Sequence, residues 1–261
     1  MALDDQHADL VVLVVLGGLV PEILTRGQGE AVPDHLGTTD VDIHISFVTE
    51  PDRDLGSLEI ALDQAGFEPD VRYGDGWHWR IAVDGVPVKV EFLCDRGDLP
   101  ANEVVSLPGC QRLTAANLRG TGFVARDWTE EELSGSIEGE PVAVMAKYAG
   151  LEGYLMAKAY SVRERGLDRD YYDLVFVLLY NRAGGPAQAA ALLREGKFSD
   201  DVSAARSTFR EIAARYEDAN GFGPESYAAQ ALGVDPGADG AQLRQDAVGA
   251  VAEFIAALHL E

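Results

Sequence analysis

Asp40 and Asp42 stand two residues apart in the strand-forming run Gly37-Thr38-Thr39-Asp40-Val41-Asp42-Ile43-His44-Ile45. Alternation along a strand puts both carboxylates on one face and Val41 and Ile43 on the other. Two strand rises separate their Cα atoms by about 6.6 Å. Carboxylates about 4 Å apart near a protein surface repel by roughly 4 kcal/mol if nothing neutralises them. The pair therefore asks for a cation, and this spacing suits divalent ions held about 3.5–4 Å from each other.

The neighbouring segments supply a sheet for that strand. Leu10 to Leu16 is an apolar run closed by Gly17-Gly18, and it reads as a buried strand. Leu19 to Leu24 can open a helix, because Pro21 is tolerated in a first turn. Gly27 to Leu36 reads as a loop, Asp40 to Phe47 as a strand and Leu55 to Ala65 as a helix stopped by Gly66. Trp77 to Val83 and Val86 to Leu93 flank Asp84-Gly85, the signature of a tight hairpin. In its second arm Val86, Val88, Val90 and Phe92 share one face, and Lys89, Glu91 and Leu93 share the other. Glu91 is thus either a third carboxylate of the cation site or a solvated strand residue.

Residues 97–125 read as irregular, and 133–137 with 141–145 as a second small hairpin. From Leu151 the pattern is helical, over about 151–165, 170–181, 186–194, 201–216 and 238–259. This gives an α+β chain: a small mixed-sheet domain followed by a mainly helical one. The boundaries are 1–105 for the sheet core, 106–148 for linking strands and hairpin, and 149–261 for the helices.

Composition limits the partners. Forty-four Asp and Glu against 21 Lys and Arg give a formal charge of −23. That balance opposes tight, nonspecific binding to a nucleic-acid backbone, which needs Lys and Arg to displace counterions. It suits cationic substrates or basic proteins, and it also suits plain solubility. Two cysteines, Cys94 and Cys110, provide no disulfide framework. The Leu10 to Leu16 run is too short to span a membrane and lacks a positive region before it, so no membrane partner is expected and the cytoplasm is the default location. The chain either begins directly with its first core strand or lacks a preceding helix.

Other residues near these motifs carry two readings each. Thr38 and Thr39 either contact phosphate or start the strand. His44 shares the Asp face, where sheet packing is favoured because Mg²⁺ prefers oxygen ligands. Trp77 and Trp79 serve base stacking or the core, and Arg80 is placed to reach the carboxylates. On the helices, Asp170 and Asp173 lie on one side. Asp173, beside Leu174, is expected to be partly buried and paired with Arg165 or Arg169. Asp170 is expected to be more open.

With these blocks in view, the chain resembles the nucleotidyltransferases of the DNA polymerase β-like superfamily, most closely the AbiEii-like group of type IV toxin–antitoxin systems. The resemblance covers roughly residues 10–181. It rests on Leu16-Gly17-Gly18, on Thr39-Asp40-Val41-Asp42-Ile43, on Val88-Lys89-Val90-Glu91-Phe92, and on a run from Lys158 through Arg165 to Asp170-Tyr171-Tyr172-Asp173-Leu174. The superfamily often has Ser at the second glycine and Asp at the third carboxylate, where this chain has Gly18 and Glu91.

The resemblance implies a palm-like sheet domain and a Mg²⁺- or Mn²⁺-dependent transfer of a nucleoside monophosphate from an NTP to a hydroxyl. Asp40, Asp42 and Glu91 would hold metal and act in catalysis, with Lys158 and Asp170. Gly17, Gly18, Thr39, Lys158 and Arg165 would face the nucleotide. Lys158 is expected to reach the site from the helical half and offset triphosphate charge. The acceptor is a protein, a tRNA or a small molecule, and a cognate toxin or antitoxin is the implied protein partner. Two alternatives remain: a catalytically silent nucleotide- or partner-binding module of the same fold, and an aminoglycoside-type small-molecule nucleotidyltransferase.

Overall fold

A computed structural model describes residues 12–27, 32–46, 54–72, 76–137 and 139–260. In chain order the elements are β1 (Val12–Leu16), a 3-10 turn at Gly17–Leu19, α1 (Val20–Thr25), β2 (Asp40–Ser46), α2 (Gly56–Gln64) and β3 (Glu68–Pro69). Next come β4 (His78–Val83), β5 (Val86–Cys94), β6 (Val104–Ser106), β7 (Thr114–Asn117), a 3-10 turn at Thr121–Arg126, β8 (Trp128–Ile137) and β9 (Glu140–Ala149). Seven helices follow: α3 (Leu151–Glu164), α4 (Asp168–Tyr180), α5 (Pro186–Glu195), α6 (Ser199–Ala204), α7 (Arg206–Ala214), α8 (Phe222–Val234) and α9 (Gly240–Ala257). The chain is mixed α+β and divides into two compact units. One is Met1–Gly17 with Thr38–Ala149, and the other is Gly18–Gly37 with Gly150–Glu261.

The first unit is built on one mixed sheet in the order β3-β4-β5-β2-β1-β9-β8, with β7 also paired to β5 and β6 to β7. β2 runs antiparallel to β1 and parallel to β5. One face is apolar: Ile45, Trp79, Val90 and Phe92 are buried there with Leu55 beside α2. Trp79 is fully buried and donates its indole N–H to the Gly76 carbonyl at 2.9 Å, so it belongs to the core. The β4–β5 turn is the expected tight one, with Asp84 and Gly85 both at positive φ. Glu59 on α2 is a buried carboxylate that accepts the backbone N–H groups of Gln111, Arg112 and Leu113 at 2.9–3.0 Å. Burial alone would raise its pKa, but those three donors and Arg112 hold it below the usual range.

Two expectations needed correction here, and a third falls outside the described residues. The segment read as irregular contains β6, β7 and the turn at 121–126, strands too short to show alternation. The second hairpin runs over Trp128–Ile137 and Glu140–Ala149, well beyond its central residues. Leu10, Val11 and Phe47, read as strand, lie outside the described residues.

In the second unit α4 is the central helix, and Tyr171 through Leu178 along it are all buried. It packs against α1, α3, α8 and α9. The expected helix at 201–216 is two helices, α6 and α7, meeting at Ala205. The expected helical spans stop at 216 and resume at 238, so α8 is an addition to them. Pro224 falls in the first turn of α8, where its missing N–H costs nothing. Among the described residues no helix is long and apolar enough to cross a membrane.

Candidate functional site

The polar face of the sheet gathers the acidic residues. In the β2–β5 pairing Asp40 lies opposite Lys89, Asp42 opposite Glu91 and His44 opposite Leu93. Side chains opposite one another on neighbouring strands share a face, so Asp40, Asp42, Lys89 and Glu91 form one group. Across β2 on the other side, Leu16 pairs with Asp42, and Gly17 follows directly. Gly17 has φ +73°, and a Cβ built there would overlap the Asp42 carboxylate. Glycine at this position leaves the room that Asp42 occupies.

Lys89 binds this group together. Its Nζ is 2.6 Å from Glu91 Oε1 and 3.1 Å from Asp40 Oδ2. Partial burial works against its charge, but Glu91 and Asp40 outweigh that and raise its pKa above the ordinary lysine value. His78, opposite Glu91 in β4, brings Nε2 to 3.6 Å from the same Oε1. The ammonium of Lys89 thus stands between Asp40 and Glu91. Among the described residues, no three His, Cys, Asp or Glu side chains are arranged as they stand to hold a metal ion. The donor set itself suits a hard divalent cation, since all three carboxylates offer oxygen. Lys89 is carried on a flexible four-carbon stem and can leave without moving the backbone.

The residues around the group divide clearly. Thr38 Oγ1 accepts the Asp40 N–H at 3.2 Å, and Thr39 Oγ1 lies 3.3 Å from Asp40 Oδ1. Both order the strand start and the Asp40 side chain. His44 is buried, with Nδ1 3.3 Å from Thr121 Oγ1. Burial pulls its pKa down to about 4, so it is a neutral packing histidine at physiological pH. Arg80 does not reach the carboxylates. It donates to Glu68 Oε1 at 2.7 and 3.0 Å, because Glu68 on β3 is its cross-strand partner.

A second ionic cluster lies within the helical unit. Lys158 Nζ on α3 is 2.7 Å from Asp173 Oδ2 and 3.1 Å from Asp170 Oδ1, both on α4. Arg165 donates from Nε and Nη2 to the two Asp170 oxygens at 2.9 and 3.0 Å. His35 Nε2 is 3.0 Å from Asp173 Oδ1, while its Nδ1 accepts the Gly37 N–H at 3.2 Å. That pattern fixes the Nε2–H tautomer, with the proton directed at Asp173. The His35 ring also stacks on Tyr172 at 5.1 Å. Burial is the largest single influence on both carboxylates and opposes their charge, yet Lys158 with Arg165 carries Asp170 below the usual range, and Lys158 with His35 brings Asp173 down to about 2. Lys158 is raised in turn, against its own burial, by Asp173 and Asp170.

The structure thus brings Gly17, Thr39, Asp40, Asp42 and Glu91 together on the sheet unit. It brings Lys158, Arg165 and Asp170 together in the helical unit, where Gly18 is buried in the turn before α1. Two expectations are corrected. Asp170 is as closed as Asp173, at 2% and 0% exposure. Arg165 pairs with Asp170 because the short 165–167 link folds it over the first turn of α4, where Asp170 sits. Arg169 donates instead to the Gly37 carbonyl. His35, which completes the cluster, stands in a Gly- and Pro-rich loop with nothing in its spacing to single it out. Lys89 was visible as a face-mate of Glu91 but carried no sign that it would bridge two carboxylates. Compared with protein-family models, with curated proteins and with solved structures, the chain matches none.

Proposed function

We propose that the chain is a Mg²⁺-dependent nucleotidyltransferase of the DNA polymerase β-like type, whose reaction is carried by the sheet unit. The observation that supports this most is the register of the β2–β5 pair. It aligns Asp42 with Glu91 and Asp40 with Lys89 on one face, beside a glycine whose missing Cβ makes room for Asp42. Asp40, Asp42 and Glu91 would hold the divalent ion or ions, with Lys89 displaced. Bound there, Mg²⁺ would neutralise triphosphate oxygens and polarise the α-phosphorus. Backbone N–H groups at Gly17-Gly18 approach the phosphates where no side chain intervenes. The acceptor hydroxyl oxygen attacks the α-phosphorus, and its proton passes to Glu91. The bond from the α-phosphorus to the bridging oxygen breaks, and pyrophosphate leaves with that electron pair.

Lys158, Arg165 and Asp170 receive a different assignment. Their charges are spent on one another, so we assign them to holding α3, α4 and the 32–37 segment together. A free Lys158 facing the triphosphate is not part of this reading.

One observation favours a second reading, a catalytically silent nucleotide- or partner-binding module. A resident ammonium between Asp40 and Glu91 is what a metal-free descendant of such a site would keep. Incubation with NTPs labelled at the α- or γ-phosphate, Mg²⁺ and cell extract separates the two. Transfer predicts α-label on an acceptor, γ-label only in pyrophosphate, and loss of both in Asp42→Asn. Nucleotide binding without pyrophosphate release supports the silent module. The acceptor class, protein, RNA or polycationic small molecule, is read from where the α-label goes.

A further inference from the structure

β8 ends the sheet order, so one of its two edges has no strand beside it among the described residues. It runs over Trp128–Ile137, whereas β3 at the other end of the sheet is only Glu68–Pro69. A long free edge offers a row of backbone N–H and C=O groups to another extended chain. The register with β9 sorts the side chains of this ribbon. Glu130 and Glu132 lie on one face, opposite Lys147 and Met145. Leu133 lies on the other face, opposite Val144. Leu133 and Val144 are 43% and 51% exposed, so this apolar pair is uncovered.

Every charged side chain on β8 is acidic: Glu130, Glu131 and Glu132 are consecutive, and the strand contains no Lys, Arg or His. Glu130 and Glu132 are exposed. Charges on an edge guard it against pairing with its own copy. Two β8 strands paired antiparallel along their full length would crowd six glutamates at the centre, where like charges oppose pairing. The same charges favour a strand that places Lys or Arg beside Glu130 and Glu132. Alternation then puts that strand's other residues on the face of Leu133 and Val144, where apolar side chains extend the uncovered pair. The two faces of the ribbon thus specify a partner of period two, basic on one side and apolar on the other.

We infer that the β8 edge docks an extended segment of a partner protein in which basic and apolar residues alternate. Main-chain hydrogen bonds to the edge hold the segment, and the glutamates select it. The docking strand lies wholly in the sheet unit and uses none of the residues assigned to nucleotidyl transfer. It stands whether or not the chain transfers nucleotides.

Titration of the full chain with a capped peptide of alternating Lys and Val tests this by calorimetry and by backbone amide hydrogen exchange. Two control peptides accompany it: one carries Gln in place of Lys, and one keeps every Lys but has Pro in place of the central Val. The Lys-Val peptide should bind one to one and slow the exchange of β8 amides. The Pro peptide, which keeps the charge but cannot complete a ladder, should be weaker by about tenfold or more. The Gln peptide should be weaker by about fivefold or more. Glu130→Gln with Glu132→Gln should weaken the Lys-Val peptide about fivefold and leave the Gln peptide unchanged. Both side chains are exposed, so this pair of substitutions keeps the fold. Equal affinity for the Pro peptide would reduce the contact to plain charge attraction and overturn the inference. So would the absence of saturable binding, β8 amides that exchange as fast with the peptide as without it, or affinity unchanged by the paired Glu substitutions. Protection of β8 amides that grows with protein concentration in the absence of peptide would assign the edge to a second copy instead.

Discussion

Two lysines in this chain each bridge two carboxylates, and their surroundings make them different devices. Lys89 joins Asp40 and Glu91 on the sheet face, with side-chain exposures of 20%, 39% and 17%. Lys158 joins Asp170 and Asp173 at 7%, 2% and 0%. Asp40 and Glu91 keep some access to water, so they are not left stranded in a low dielectric when the ammonium leaves. No water reaches Asp173, and removing Lys158 would leave charge in a low dielectric. The same three-residue grouping is therefore partly open to water in one unit, where we propose a cation site, and closed in the other, where it is a structural clasp.

Lys158→Ala should break the comparison most severely. It leaves Asp170 with the Arg165 guanidinium, while Asp173, buried beside His35, loses its lysine partner. The expected cost is about 3–5 kcal/mol, seen as a lower denaturant midpoint. A midpoint unchanged from wild type, with only nucleotide affinity reduced, would return Lys158 to the nucleotide.

Acid should then act on the clasp. Asp173 has a folded-state pKa of about 2 against an ordinary 3.8. The unfolded chain takes up that proton first. The stability it contributes is therefore present above about pH 4 and is lost as pH falls towards 2, a difference of about 2 kcal/mol. Denaturation midpoints between pH 5 and pH 2 should fall less in Asp173→Asn than in wild type. Parallel curves would show that Asp173 is not held down as described.

Gly17→Ala sharpens the sheet side. A left-handed alanine costs about 1–2 kcal/mol on its own, and its Cβ pushes on the Asp42 carboxylate. Reduced Mn²⁺ binding should accompany that modest loss of stability. The effect of Lys89→Met on stability should be smaller than that of Lys158→Ala, because Asp40 and Glu91 keep access to water that Asp170 and Asp173 lack. A larger loss would make Lys89 a clasp like Lys158.

The sheet side was far more legible in the sequence than the helical side. Period-two alternation put Asp40 with Asp42 and Lys89 with Glu91, because a strand leaves a side chain only two choices, but that the two pairs share one face of the sheet came from the β2–β5 register. Asp84-Gly85 fixed the hairpin register that carries Glu91. Helical spacing told which side of α4 holds Asp170 and Asp173, but not what faces them. Their partners come from the 32–37 segment, through His35, and from a link whose fold-back no periodicity encodes. The helix α8 was hidden by Gly223-Pro224, which breaks a helix interior but opens one equally well.

We propose that Asp40, Asp42 and Glu91 form an exchangeable cation site with Lys89 as its resident occupant. Mn²⁺ titration followed by electron paramagnetic resonance tests it directly, on wild type, Asp42→Asn and Lys89→Met, with Lys158 intact throughout. The account predicts saturable binding in wild type, about tenfold or greater weakening in Asp42→Asn, and tighter binding in Lys89→Met. Equal Mn²⁺ affinity in all three proteins would contradict it.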